Sequence, residues 1–117
     1  MKKILLIGGE GYIGRCLCDY YLKKNYKVIS FDNLIYGQKI HRVKKNYKFI
    51  NGDICKNNDL NKIFKLNYDA IILLAGLVGD PITNKYKNLS KKINTRALRN
   101  LIKKIHKQEN SKKFIFI

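Results

Sequence analysis

The 117 residues predict an α/β domain, a doubly wound parallel sheet of about five strands in the order 3-2-1-4-5. Three observations predict it. Apolar runs of strand length alternate with segments of helical periodicity along the chain, the pattern of βαβ units and so of a parallel sheet. The first apolar run, Lys3-Ile4-Leu5-Leu6-Ile7, feeds a turn with glycines at Gly8, Gly11 and Gly14, and that turn opens into a helix. The second run, Tyr26 to Phe31, ends on Asp32, at the distance where such a unit carries a carboxylate.

Taken in order, strand one is expected over 3–7 and helix one over 12–24, with Ile13, Leu17, Tyr20 and Tyr21 on its apolar face and Asn25 as a C-terminal cap. Strand two covers 27–31. A loop follows over 32–39 with Gly37 as its punctuation, and then a short helix or turn over 40–45. Strand three covers 47–50 and ends at Asn51-Gly52-Asp53. Asn57, Asn58 and Asp59 offer N-cap chemistry to a helix that carries Leu60, Ile63 and Phe64 on one face. Strand four, 69–75, is apolar throughout, as suits a central strand covered on both faces. After a loop over 76–87, a long helix repeats Leu89, Ile93, Ala97, Leu101 and Ile105 at four-residue steps, and strand five closes the pattern over 113–117. Right-handed crossovers give the strand order, and a ligand belongs outside the carboxyl ends of the strands, where the order reverses between strands one and four.

The glycines have distinct physical duties in such a turn. Gly8 allows the tight departure from the strand, Gly11 lets backbone approach a pyrophosphate that a side chain would block, and Gly14 lets the helix pack close to the sheet. The first N–H groups of the helix then face the phosphates with the favourable end of the helix dipole. Asp32 is placed to accept hydrogen bonds from the adenosine ribose hydroxyls. A bare glycine pattern equally describes a loop that only turns the chain. Strand, turn, helix, second strand and carboxylate in this order distinguish the Rossmann-type binding unit from that plain turn.

Length allows one domain, 1–117, with a modest core and no second substrate domain. No apolar run is long enough to span a bilayer, so no membrane partner is expected. Lys2 and Lys3 before an apolar stretch imitate a signal peptide, but the glycine turn and charges that follow argue against one. Cys16, Cys18 and Cys55 make no disulfide framework, and Cys16 and Cys18 point to different helix faces, so no metal site is expected. Free thiols suit a cytoplasmic location. The net charge of +17 suggests affinity for polyanions, yet the lysines are scattered and no nucleic-acid-binding signature accompanies them. Solvated lysine faces, with non-specific nucleic-acid binding at low salt, are the expectation.

Five segments in a fixed order carry a family resemblance: Gly8-Gly9-Glu10-Gly11-Tyr12-Ile13-Gly14, Phe31-Asp32-Asn33-Leu34, Asn51-Gly52-Asp53-Ile54, Leu73 through Pro81, and Ile93-Asn94-Thr95. The chain resembles the N-terminal, cofactor-binding part of an extended short-chain dehydrogenase/reductase, of the NAD-dependent epimerase/dehydratase kind that acts on nucleotide sugars. The resemblance implies that Gly8, Gly11, Gly14 and the backbone of Tyr12 and Ile13 hold the pyrophosphate. It implies Asp32 on the adenosine ribose with Asn33 beside it, and Asp53 and Ile54 at the adenine. It sets Leu74, Ala75 and Gly76 along the nicotinamide-side ribose and phosphate, and Asn94 on a helix that orders the site. Leu74 and Ala75 would also serve as plain core, and Asp80 reads as a loop cap before Pro81. Asp32 favours NAD over NADP, because a carboxylate repels a 2′-phosphate and pairs with free hydroxyls. Arg15, just past the third glycine, is the one contrary hint, and an exposed first-turn arginine is its ordinary reading.

In this family a tyrosine acts as general acid/base, with a lysine four residues on and a serine or threonine, normally beyond strand five. The sequence ends there, so no catalytic residue is assigned and a domain truncated after strand five is expected. Tyr20 and Lys24 have the Tyr-x-x-x-Lys spacing but lie on helix one, where Tyr20 is expected in the core; Tyr86 has Ser90 four residues on. His41 and His106 are isolated. Three readings follow: the NAD-binding part of a nucleotide-sugar enzyme, inactive alone unless completed by a further segment or partner chain; a stand-alone dinucleotide-binding module without catalysis; and a basic polyanion-binding protein on the same fold. An apolar edge strand five invites self-association.

Overall fold

The computed structural model describes residues 1–34, 37, 45–74, 98–107 and 113–116. Five parallel strands, β1 (Lys3–Ile7), β2 (Lys27–Asp32), β3 (Tyr47–Asn51), β4 (Ala70–Leu73) and β5 (Phe114–Phe116), form one sheet in the order β3-β2-β1-β4-β5. The described helices are α1 (Tyr12–Lys23), α2 (Asn57–Ile63) and α3 (Leu98–Lys107). Sheet order and parallel pairing are those the alternating pattern predicts.

The two-residue alternation of a strand sorts the core into two layers. Ile4 and Leu6 of β1 pack with Val28, Ile72 and the α1 residues Cys18 and Leu22. Leu5 and Ile7 face the other way, with Ile29, Phe31, Ile71, Leu73, Leu60 and Ile63 of α2, and Leu101 of α3. Helices therefore cover both faces, and the apolar run of β4 is buried as expected, with Ile71, Ile72 and Leu73 each at most 2% exposed.

Helix α1 keeps half of its expected face, with Leu17 and Tyr21 packed against the core, and departs from it at Ile13 and Tyr20. Its buried residues are Gly14, Cys18 and Leu22, while Ile13 and Tyr20 are about half exposed. The cause is Gly14: a Cβ there would lie 2.5 Å from the Gly8 carbonyl oxygen, so the helix abuts the turn along this line. Ile13 and Tyr20 fall about 100° and 120° round the helix from it and point outward. Tyr20 is thus not a core residue; Lys24 Nζ lies 5.2 Å from its ring centroid. Cys16 is exposed and Cys18 buried, on different faces as expected.

The ends of the helices also show local chemistry. Asn25 follows the C-cap Lys24 at φ 64°, donating its N–H to Leu22 O at 3.1 Å, and Tyr26 N–H donates to Tyr21 O at 3.0 Å. Together these form a Schellman motif, closed by stacking of the Tyr21 and Tyr26 rings at 5.4 Å. For α2 the expected asparagine and aspartate caps do not form: the N-cap is Lys56 and Asn57 is already helical. The Asp59 carboxylate turns back instead to accept the Asp53 N–H at 2.9 Å. Residues 40–44 of the expected helix or turn over 40–45, the expected loop over 76–87, the expected long-helix residues Leu89, Ile93, Asn94 and Ala97, and His41, Asp80, Tyr86 and Ile117 lie outside the described residues.

Candidate functional site

The strand registers bring four chain segments to one edge of the sheet. Ile7 is level with Phe31 and with Leu73, and Asp32 with Asn51, so the carboxyl ends of β1, β2, β3 and β4 finish together. Gly8 leaves β1 at φ 86°, a conformation open to glycine and strained for other residues. Its N–H donates to Phe31 O at 2.7 Å, which hooks the turn over β2. On the other side Leu74 N–H donates to Ile7 O at 2.7 Å, and Leu74 is half-buried against the α1-side core.

Gly11 is the N-cap of α1, without a side-chain cap and with no acidic residue in the first turn. The helix ladder begins with Arg15 N–H donating to Gly11 O at 2.9 Å, so the N–H groups of Tyr12, Ile13 and Gly14 lie ahead of it. The Tyr12 side chain is 86% exposed. The glycines differ in what they would meet. A Cβ on Gly9 would lie 2.3 Å from Ser30 Oγ and one on Gly14 2.5 Å from Gly8 O, whereas a Cβ on Gly11 has only an ordinary contact, 3.6 Å from Gly8 O. Packing requires glycine at 9 and 14. At 11 no atom of the described residues does, and the backbone is the ordinary extended form at φ −75°. The space over Gly11 is a cradle that a Cβ would fill, next to free-facing helix N–H positions, and a diphosphate fits it.

Asp32 is 8% exposed and held at both oxygens: Glu10 N–H donates to Oδ2 at 3.0 Å and Leu34 N–H to Oδ1 at 2.8 Å. The carboxylate is fixed in orientation, and each oxygen keeps lone-pair capacity for a hydroxyl donor. Leu34 takes φ 57°, an uncommon conformation for leucine that this Asp32 turn supports. Asn33 is exposed. Gly52 N–H donates to Asp32 O at 3.1 Å, which brings the β3 end against the β2 end. Asp53 accepts from Cys55 N–H at 2.8 Å, and Ile54 is buried in the core at 6% exposure. The hydrogen bond from Asp53 N–H, followed by the nearby Lys62 side chain, holds the Asp59 carboxyl below its usual range. Gly8, Gly11, Tyr12, Ile13, Gly14, Asp32, Asn33, Asp53, Ile54 and Leu74 thus lie along one edge; Ala75 and Gly76 are outside the described residues.

One cluster at this edge was not anticipated. Glu10 is 2% exposed, and its Oε2 accepts hydrogen bonds from Ser30 Oγ at 2.5 Å and from the Tyr47 hydroxyl at 2.7 Å. Arg15 Nε stands 4.0 Å from Glu10 Oε1. The expected exposed arginine is therefore half-buried and paired. Ser30, the polar residue inside an otherwise apolar buried strand, was the available signal. Among the described residues no group of His, Cys, Asp and Glu is arranged to hold a metal ion, and no helix is long and apolar enough to cross a membrane.

Residues 4–117 match the model of the NAD dependent epimerase/dehydratase family. A UDP-glucose 4-epimerase of Schizosaccharomyces pombe is 34% identical, with 97% of this chain covering 34% of that protein. A dTDP-D-glucose 4,6-dehydratase of Dictyostelium discoideum is 32% identical, with all of this chain covering 29% of that one. The crystal structure of the Bordetella bronchiseptica enzyme WbmH in complex with NAD+ superposes with a TM-score of 0.77 at 27% identity, over 92% of this chain and 36% of WbmH. The chain spans about a third of the length of these three proteins.

Proposed function

The chain belongs to the NAD-dependent epimerase/dehydratase family, and from that premise we propose that its 117 residues are the NAD-binding part of an oxidoreductase acting on nucleotide sugars. The observation that carries this reading is Gly11: a glycine that packing among the described residues does not require, at the N-terminus of α1, with the space above it left open by them. The pyrophosphate rests on the N–H groups of Tyr12, Ile13 and Gly14, Gly11 leaves it room, and Gly8 sets the turn and accepts the Gly11 N–H at 3.3 Å. Asp32, oriented by two backbone N–H groups, accepts the adenosine ribose hydroxyls with Asn33 beside it. Asp53 and Ile54 border the adenine, and Leu74 with Ala75 and Gly76 follows the nicotinamide-side ribose. The nicotinamide, when bound, supplies the hydride chemistry of the family. The complex of WbmH with NAD+ and the UDP- and dTDP-sugar names of the relatives support the choice of cofactor and substrate class.

Asp32 makes NAD the preferred dinucleotide, since its fixed carboxylate repels a 2′-phosphate. Calorimetric titration with NAD and NADP tests this. Tighter binding of NAD is the expected result, and equal or tighter binding of NADP overturns the role given to Asp32. Loss of NAD binding in Gly11→Val, with the chain still folded and melting cooperatively, supports the cradle reading.

A further inference from the structure

Arg15 lies in the first turn of α1, beside the turn that the proposed pyrophosphate occupies. A guanidinium so placed suits phosphate oxygens, and it gains most from a dinucleotide that carries one phosphate more. In this protein its charge is engaged by Glu10, whose Oε1 stands 4.0 Å from Arg15 Nε. Glu10 has little freedom to move away. It is buried, its Oε2 takes hydrogen bonds from both Ser30 and Tyr47, and its backbone N–H is bonded to Asp32 Oδ2. Ser30 is itself locked under the turn, where only a glycine at position 9 leaves it room. The residue that orients the ribose carboxylate through its backbone thus engages the neighbouring cation through its side chain.

We infer that Glu10 is a positioning residue for cofactor selectivity: it holds Arg15 in an ion pair and so withholds that guanidinium from the 2′-phosphate of NADP. Selectivity for NAD then has two parts, repulsion by Asp32 and neutralisation of Arg15 by Glu10. The inference rests on the dinucleotide reading of the site.

Glu10→Gln is the central variant. The amide oxygen still accepts from Ser30 and Tyr47, so shape is kept while the charge is removed. Affinities for NAD and NADP are measured by calorimetry on the full chain, native and variant, beside thermal melting. In Glu10→Gln the affinity for NADP relative to NAD rises about tenfold, the scale of one charge-assisted hydrogen bond gained. Adding Arg15→Gln returns the ratio to within about twofold of native, well inside that tenfold scale. A purely structural lesion weakens both dinucleotides alike and leaves the ratio fixed. An unchanged ratio in Glu10→Gln, or a raised ratio that Arg15→Gln does not reverse, overturns the inference. Should Glu10→Gln fail to fold, Arg15→Gln alone is measured: a guanidinium withheld by Glu10 contributes nothing to NADP binding, so the ratio stays within about twofold of native, and a several-fold fall in relative NADP affinity overturns the inference. A native chain that binds neither dinucleotide overturns instead the underlying reading of the site.

Discussion

Single residues in the glycine turn divide into those the fold needs and one it does not. A methyl group on Gly14 would press on the Gly8 and Gly9 backbone at 2.5–2.7 Å, with no flexible side chain to give way. Gly14→Ala should therefore cost at least about 2 kcal/mol of stability, the upper part of the range for overpacking. Gly11→Ala meets only an ordinary contact and should cost about 0.5–1 kcal/mol, the N-cap preference for glycine over alanine, well below the cost at Gly14. Its NAD affinity should nonetheless fall by about tenfold or more, the scale of one lost phosphate hydrogen bond. Denaturant titration and calorimetry on both variants check this, and a Gly11→Ala chain that binds normally removes the argument for the cradle. The glycine spacing and Asp32 were legible because backbone requirements of this kind leave a residue-type signature. Glu10 was not, since a carboxylate between two glycines looks solvated until Ser30 and Tyr47, 20 and 37 residues away, are brought to it.

At the scale of elements, existence and order follow from apolar runs and periodicity, while faces and caps depend on contacts that periodicity does not contain. The rotation of α1 is set by Gly14 against the turn, which is why Ile13 and Tyr20 turn outward. Its end was readable: Asn25 is one of the few residue types that tolerate the left-handed conformation. Asn25→Ala should destabilise by about 1 kcal/mol, and Asn25→Gly should be neutral or slightly stabilising; thermal melting separates the two, and equal effects would exclude the conformational explanation. The connection from α2 to β4 offers a pH test. Tyr68 is 1% exposed and donates its hydroxyl to Ile63 O at 2.6 Å, and burial pushes its ionisation above the usual tyrosine value of 10.0. Because the folded-state value is raised, the contribution of neutral Tyr68 is complete below pH 10 and is lost as pH rises above it. Tyr68→Phe should lose about 1 kcal/mol at neutral pH, the worth of one hydrogen bond, and should show a shallower fall in stability above pH 10 than the native chain. Parallel alkaline limbs would contradict this.

For the whole molecule, the doubly wound sheet gathers the candidate site residues at one edge, and this decides how Tyr20 and Lys24 are read. They are the one Tyr-x-x-x-Lys pair in these 117 residues. The spacing alone would nominate them for acid/base work. Yet α1 starts at the glycine turn and runs away from it, so Tyr20 lies about 12 Å further along the axis than Tyr12 at 1.5 Å per residue. The two side chains engage each other on the surface, with the lysine over the tyrosine ring. The Tyr20 ring also packs edge-on against Tyr21 at 5.3 Å, within the aromatic group that closes the helix end. A general acid/base must reach the proton that it moves, and its absence costs about two to four powers of ten in rate. We therefore expect the 117-residue polypeptide to bind NAD without turning over a nucleotide sugar. The measurement is NAD reduction and product formation with UDP-glucose and dTDP-glucose, for the native chain and for Tyr20→Phe. No turnover in either, with equal NAD affinity, is the expected outcome. Turnover in the native chain that Tyr20→Phe abolishes would make this surface pair catalytic.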